Sequence, residues 1–152
     1  MRNLAIFLFF FILSLGLYAQ TAEEYNGSGI NKFNLKDYTG AIADFSKAIE
    51  LNPDSYEAYY NRANCKAKFQ DYRGAVADFS KAIEIKPEYA KSYNNRGNAK
   101  FYLQDYRGAI LDHNKAIELN SKNYDAYYNR GNDKYYLNDY KGALWNWLTD
   151  NN

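Results

Sequence analysis

Apolar side chains recur along this chain at the spacing of helices. Ala41, Ile42, Phe45, Ala48 and Ile49 fall on one helical face, and Ala75, Val76, Phe79, Ala82 and Ile83 repeat the pattern. A more polar stripe precedes each: Tyr59, Ala63 and Phe69 share one broad face, copied as Tyr93, Gly97 and Leu103. The small middle residue of that triplet lets a neighbouring helix approach closely. The pattern predicts units of two helices joined by a short turn.

The turn is written four times. DYTGA at 37–41, DYRGA at 71–75, DYRGA at 105–109 and DYKGA at 139–143 are each 34 residues apart. FSKAIE at 45–50 returns at 79–84 and as HNKAIE at 113–118, and YYNR at 59–62 returns as YNNR at 93–96 and YYNR at 127–130. A fixed period of this size predicts a solenoid, in which each unit buries its apolar face only against its neighbours. Asp37, Asp71, Asp105 and Asp139 are placed to cap the second helices through their side-chain oxygens. Gly40, Gly74, Gly108 and Gly142 follow three residues later, so the reciprocal Glu of a capping box is missing. Pro53 and Pro87 stop two of the second helices, and Thr21 with Glu24 forms a complete capping box at the start of the first.

Composition narrows the function. The 152 residues carry 19 Lys plus Arg against 18 Asp plus Glu, a balance with no drive toward nucleic acid or an anionic membrane surface. Seventeen tyrosines and only two prolines suit a helical protein with much aromatic packing. Residues 1–20 differ: MRN, then the uncharged LAIFLFFFILSLGL, then YAQ, the order of a secretory signal peptide cleaved near Ala19 or Gln20. The expectation is an exported protein, periplasmic or secreted, with no membrane association after cleavage; an uncleaved N-terminal anchor is the alternative. Cys65 is the sole cysteine, so no internal disulfide forms, and a small buried apolar role is expected for it.

Catalytic chemistry finds no constellation. His113, the sole histidine, replaces a core phenylalanine and is expected to be packed rather than basic in function. One His and one distant Cys make no transition-metal ligand set, so no metal and no cofactor are expected. The glycines fall singly at the repeat period, with no phosphate loop, and Glu23 and Glu24 sit at a helix start, where they favour the dipole.

The pattern resembles the tetratricopeptide repeat. The family's first-helix aromatic is matched by Tyr25, Tyr59, Tyr93 and Tyr127, and its small residue by Gly29, Ala63, Gly97 and Gly131. Its second-helix Ala-x3-Phe is matched by Ala41 with Phe45 and Ala75 with Phe79, then by Ala109 with His113 and Ala143 with Trp147. Its proline is matched by Pro53 and Pro87, with Ser121 in the third copy. Units then run 22–55, 56–89, 90–123 and 124–152, the last incomplete. The resemblance implies an all-α, right-handed superhelical solenoid of antiparallel helix pairs over residues 22–152, with first helices lining the concave face. It also implies a non-enzymatic protein–protein interaction scaffold.

Departures from the family pattern form two polar series. Ser28, Arg62, Arg96 and Arg130 stand where the family has Leu, and Lys32, Lys66, Lys100 and Lys134 where it has Tyr. The second helices offer Asp44, Asp78, Asp112 and then Asn146. The Arg series lacks its first member and the Asp series its last, an offset that predicts pairing between repeats: Asp44 with Arg62, Asp78 with Arg96, Asp112 with Arg130. Polar groups at such sites need partners.

The remaining face of the first helices carries Asn61 with Asn64, Asn95 with Asn98, and Asn129 with Asn132, each pair three apart and so on one face. An amide offers both a donor and an acceptor, as does each residue of an extended peptide backbone. In the family this face lines the groove, and some members use such an asparagine ladder for sequence-tolerant peptide binding. Tyr60, Asn94 and Tyr128 flank it, with Phe101, Tyr102, Tyr135 and Tyr136 adding aromatic surface. The expected partner is an extended peptide or protein. A glycan stacked on the aromatics is the alternative. A second alternative is end-to-end self-association through Trp145 and Trp147 in the last unit, where Trp147 takes the aromatic core site.

Overall fold

A computed structural model describes residues 21–149; residues 1–20, on which the signal-peptide expectation rests, lie outside them. Among the described residues there are eight helices and no strand. They are α1 (Ala22–Asn34), α2 (Tyr38–Leu51), α3 (Tyr56–Lys68), α4 (Tyr72–Ile85), α5 (Ala90–Tyr102), α6 (Tyr106–Leu119), α7 (Tyr124–Tyr136) and α8 (Tyr140–Thr149). Each helix packs on the next in sequence. Beyond that, α1 meets α3, α3 meets α5 and α5 meets α7, while the even helices do not touch one another. The first helices of the units are therefore the inner layer of an all-α solenoid of antiparallel pairs, and the second helices the outer layer. None of the described helices is long and apolar enough to cross a membrane.

The repeated turn has a physical explanation. Asp37 Oδ1 accepts the Gly40 N–H at 2.9 Å, and Asp71, Asp105 and Asp139 do the same for Gly74, Gly108 and Gly142. A Cβ on Gly40 would lie 2.2 Å from Asp37 Oδ2, so the cap itself excludes any larger residue there, the Glu of a capping box included. The residue before each Asp is left-handed: φ is 64° at Lys36, 60° at Gln70, 63° at Gln104 and 64° at Asn138. At α1 the capping box forms, with Thr21 Oγ1 accepting from Glu24 N–H and Glu24 Oε2 from Thr21 N–H. α2 and α4 end at the caps Asn52 and Lys86, each one residue before a proline that cannot continue a helix.

The core is built from the outer helices' small–aromatic pattern meeting small residues of the inner helices. Ala41, Phe45 and Cys65 form one cluster, and Ala63, Ala75, Phe79 and Ala99 another. Cys65 is fully buried, and burial pushes its thiol up to about 11. The first-helix stripe is shorter than its spacing suggests. Phe69 and Leu103 are exposed, because each is the C-cap residue where its helix turns outward.

Candidate functional site: the inner face

The polar series between the layers pairs within repeats, not between them as the end offset suggested. Arg62 donates from Nε and Nη2 to both oxygens of Asp78 at 2.8 Å, with Lys66 2.7 Å from the same carboxylate. Arg96 makes the same fork on Asp112 at 2.9 and 2.6 Å, joined by Lys100 at 2.7 Å. Asp44 is held by Ser28 at 2.6 Å and Lys32 at 2.7 Å. The expected pairs Asp44–Arg62, Asp78–Arg96 and Asp112–Arg130 are thus corrected. The residue sixteen positions after each Arg returns opposite it across its own helix pair, and that geometry decides the partner. The link between repeats is a hydrogen bond instead: Arg62 to Ser46 and Arg96 to Ser80, both 3.0 Å, and Arg130 to Asn114 at 2.6 Å. Burial works against the Asp44 charge, but Lys32 and Ser28 outweigh it and hold the carboxyl below its usual range; hydrogen bonding to Asp78 raises Arg62. Arg130 faces the unit with Asn146 in place of Asp; burial lowers its pKa, and its buried Nε has no hydrogen-bond partner.

The asparagines face each other along the inner layer. Asn61 donates to Asn26 at 3.3 Å, Asn95 to Asn64 at 2.9 Å and to the Tyr60 hydroxyl at 3.2 Å, and Asn129 to Asn94 at 3.4 Å. Each of these bonds joins neighbouring repeats, so the amides are tied into a register. Asn94 is buried and donates to Asn95, so it supports the ladder rather than flanking it on the surface. Tyr60 is half-buried, edge-on to Tyr89 at 5.2 Å, while Tyr128 is 52% exposed. Tyr72 stacks on Tyr102 at 4.6 Å and Tyr106 on Tyr136 at 5.1 Å, both between repeats, while Tyr135 packs within the last unit against Tyr136, Tyr140 and Trp147.

Three clefts open at the successive junctions of the inner helices. The first, about 250 Å³, lies among Phe33, Phe45, Asn61 and Asn64. The second, about 300 Å³, lies among Phe79, Tyr72, Asn64, Asn95 and Asn98. The third, about 180 Å³, lies among Asn98, Phe101, Tyr102, Asn129, Asn132 and Asp133. All six expected ladder asparagines line one or another of them.

Asp133 escaped the sequence reading. His113 and Asp133 are both fully buried, and His113 Nδ1 lies in hydrogen-bond contact with Asp133 Oδ2 at 2.6 Å. Nε2 lies 3.2 Å from Asn98 Oδ1, and a Cβ on Gly97 would come within 2.6 Å of it. His113 is packed, as expected, but in a polar pair. Burial raises the Asp133 pKa, opposed by His113. The available signal was that Asp133 breaks a small apolar series, Cys65 and Ala99, at the junction where His113 breaks a phenylalanine series.

Trp147 packs against Tyr135 at 6.1 Å and fills the aromatic site, with its Nε1 so close that a Cβ on Gly131 would lie 2.4 Å away. Trp145, Leu144 and Leu148 are more than half exposed on α8.

Comparison with known proteins agrees with this architecture. Residues 32–69 match a model described as a TPR repeat, and residues 56–89 and 90–123 each match one described as a tetratricopeptide repeat. A MamA crystal structure shares the fold, with a TM-score of 0.84 at 20% identity over 90% of this chain and 80% of that one. The first TPR of Spaghetti bound to the HSP90 peptide SRMEEVD is similar at a TM-score of 0.77, with 26% identity over 78% of this chain and 94% of that one. A STIP1 homolog of Dictyostelium discoideum is 42% identical over 45 residues, 30% of this chain and 8% of that relative, so the chain spans a small part of that protein. The repeat period, the stacked helix pairs and these matches lead to one conclusion: the chain belongs to the tetratricopeptide repeat family.

Proposed function

We propose that this protein is a non-enzymatic interaction module that holds an extended peptide or a partner's extended segment along its inner face, and that it works outside the cytoplasm, as residues 1–20 suggest. The observation that carries this reading is the row of three clefts, each flanked by ladder asparagines whose register is set by hydrogen bonds between repeats. An amide held in place loses little entropy on accepting a ligand's backbone N–H or donating to its carbonyl. The likeness to a Spaghetti domain that binds an HSP90 peptide supports peptide binding as the mode. The aromatics argue against a glycan site, since Tyr72, Tyr102, Tyr106 and Tyr136 spend their ring faces on each other.

A displayed library of extended peptides, selected on the protein, tests the reading. Selected peptides should shift the side-chain amide resonances of Asn61, Asn64, Asn95 and Asn129. Changing Asn61, Asn95 and Asn129 together to Ala should weaken binding by roughly tenfold or more with helicity unchanged. Peptides that bind both proteins equally would remove the inner-face assignment.

A second reading has its own observation. The exposed Leu144, Trp145 and Leu148 on one helix favour association through the α8 end. Sedimentation should then show a mass that rises with concentration, and a Trp145→Gln change should abolish the rise.

A further inference from the structure

We propose that the third cleft is a specificity pocket for a basic side chain, lysine or arginine, of the extended ligand. The inference rests on the peptide-binding reading above and deepens it.

The three clefts share their asparagines but not their floors. Phe45 lines the first and Phe79 the second. Repeat three carries His113 at that position, and Asp133 lines the third. Asp133 Oδ2 is satisfied by His113, but Asp133 Oδ1 is buried with no hydrogen-bond partner. A carboxylate oxygen left in that state is costly and is relieved only by a donor. Asn129 and Asn132 also line the cleft, and their amide oxygens can turn toward a cation. Phe101 and Tyr102 supply an apolar wall for a methylene stem. The set thus presents one unmet carboxylate oxygen, amide acceptors, aromatic walls and no cationic side chain. An ammonium or guanidinium completes it. An acidic side chain meets a buried negative charge. An apolar one leaves Oδ1 unmet.

Position 113 is Phe in repeats one and two, and position 133 is Ala99 in repeat three. The double change His113→Phe with Asp133→Ala therefore copies the junction already built from Phe79 and Ala99, and it should fold. Two probes distinguish this pocket from the groove as a whole. Decapeptides of Ser and Gly with one central Lys, Arg, norleucine or Glu are titrated by fluorescence polarisation, and n-butylammonium alone is titrated by NMR.

The expected result is that Lys or Arg peptides bind roughly tenfold or more tighter than norleucine or Glu ones. Butylammonium should shift the Asn98, Asn132 and His113 resonances, and both effects should vanish in the double variant and in Asp133→Asn. Equal binding of all four peptides, or unchanged preference in the double variant, overturns the pocket and leaves the groove standing. Butylammonium shifts without peptide binding would keep the pocket and remove the groove. No response to either probe removes both.

Discussion

The junction between repeats two and three and the junction between repeats three and four are built on the same backbone plan from opposite chemistry. At the first, Phe79 packs with Ala63, Ala75 and Ala99, and the layers are pinned by Arg96 forked on Asp112. At the second, the aromatic has become His113, the small apolar residue has become Asp133, and Arg130 lies in a unit whose second helix carries Asn146 rather than Asp. The helices that form the second junction, α5, α6 and α7, keep the lengths of α3, α4 and α5, and the capped turn is unchanged. The capped turn therefore sets the architecture, and the residues inside the junction only set how tightly it holds. Buried polar pairs are rarely the most stable solution, since desolvation offsets the attraction. What sets the second junction apart among the described residues is a buried carboxylate oxygen, Asp133 Oδ1, that no hydrogen bond satisfies.

The largest way to break the comparison is to remove its strongest polar support. Asp112 is nearly buried and holds both Arg96 and Lys100. Asp112→Ala leaves two cations without their carboxylate and should cost about 3–5 kcal/mol in chemical denaturation. Asp44→Ala should cost much less, since its partners are a hydroxyl and a Lys that is 38% exposed. Equal losses at the two sites would show that the fork adds nothing beyond an exposed pair.

That pairing is where the sequence stopped being legible. The second-helix caps, the repeated turn, the buried Cys65 and the packed His113 could all be read, because each depends on neighbours within a few residues or on the period itself. Which Asp meets which Arg depends on how an inner helix faces its own returning partner and the preceding unit at once. The missing Arg at Ser28 and the missing Asp at Asn146 looked like one offset, yet they are two separate substitutions. Ser28 serves Asp44 from within its own unit, and Asn146 stands where the second and third units place a fork. Asp133 was hidden for a related reason. A single carboxylate in a polar helix is unremarked until its helix is placed against His113.

The comparison sharpens when the second junction is rebuilt as a copy of the first. His113→Phe with Asp133→Ala should stabilise the chain by about 1–4 kcal/mol, as replacement of buried ionic pairs by packed apolar ones often does. The gain carries a pH signature. Burial raises the Asp133 pKa in the folded state, with His113 opposing. A raised carboxyl contributes its stability in acid, fully below its ordinary value of about 4, and loses it as pH rises through the folded value. The advantage of the double variant should therefore be smallest near pH 4 and grow toward neutrality. A pH-independent difference would mean that Asp133 titrates alike in the folded and unfolded chains.

A smaller repair acts on the outer helix of the same unit. Asn146→Asp recreates the position that Arg62 and Arg96 fork in the second and third units, and it gives Arg130 Nε an acceptor. A charge-assisted bond of this kind adds about 1–3 kcal/mol. The gain should appear as slower amide exchange in α7 and α8, with α1 to α4 unchanged.

The smallest expected effect compares the turns themselves. Gln104 precedes Asp105 with φ at 63°, and Asn138 precedes Asp139 at 64°. The left-handed region costs an ordinary side chain about 1–2 kcal/mol, while Asn visits it more readily and Gly at no steric cost. Gln104 N–H bonds the Phe101 carbonyl and Asn138 N–H that of Tyr135, so the two turns have the same backbone bonding and differ in the residue that bears the strain. Gln104→Gly relieves the clash but adds freedom to the unfolded chain, so the net gain should be about 0.5–1 kcal/mol. Asn138→Gly removes less strain for the same entropy loss and also deletes the bond that Asn138 Oδ1 accepts from the Tyr140 hydroxyl, so it should bring no gain. If both changes stabilise equally, the fourth turn is as strained as the third, and the polar junction rather than the turn accounts for any weakness of the last unit.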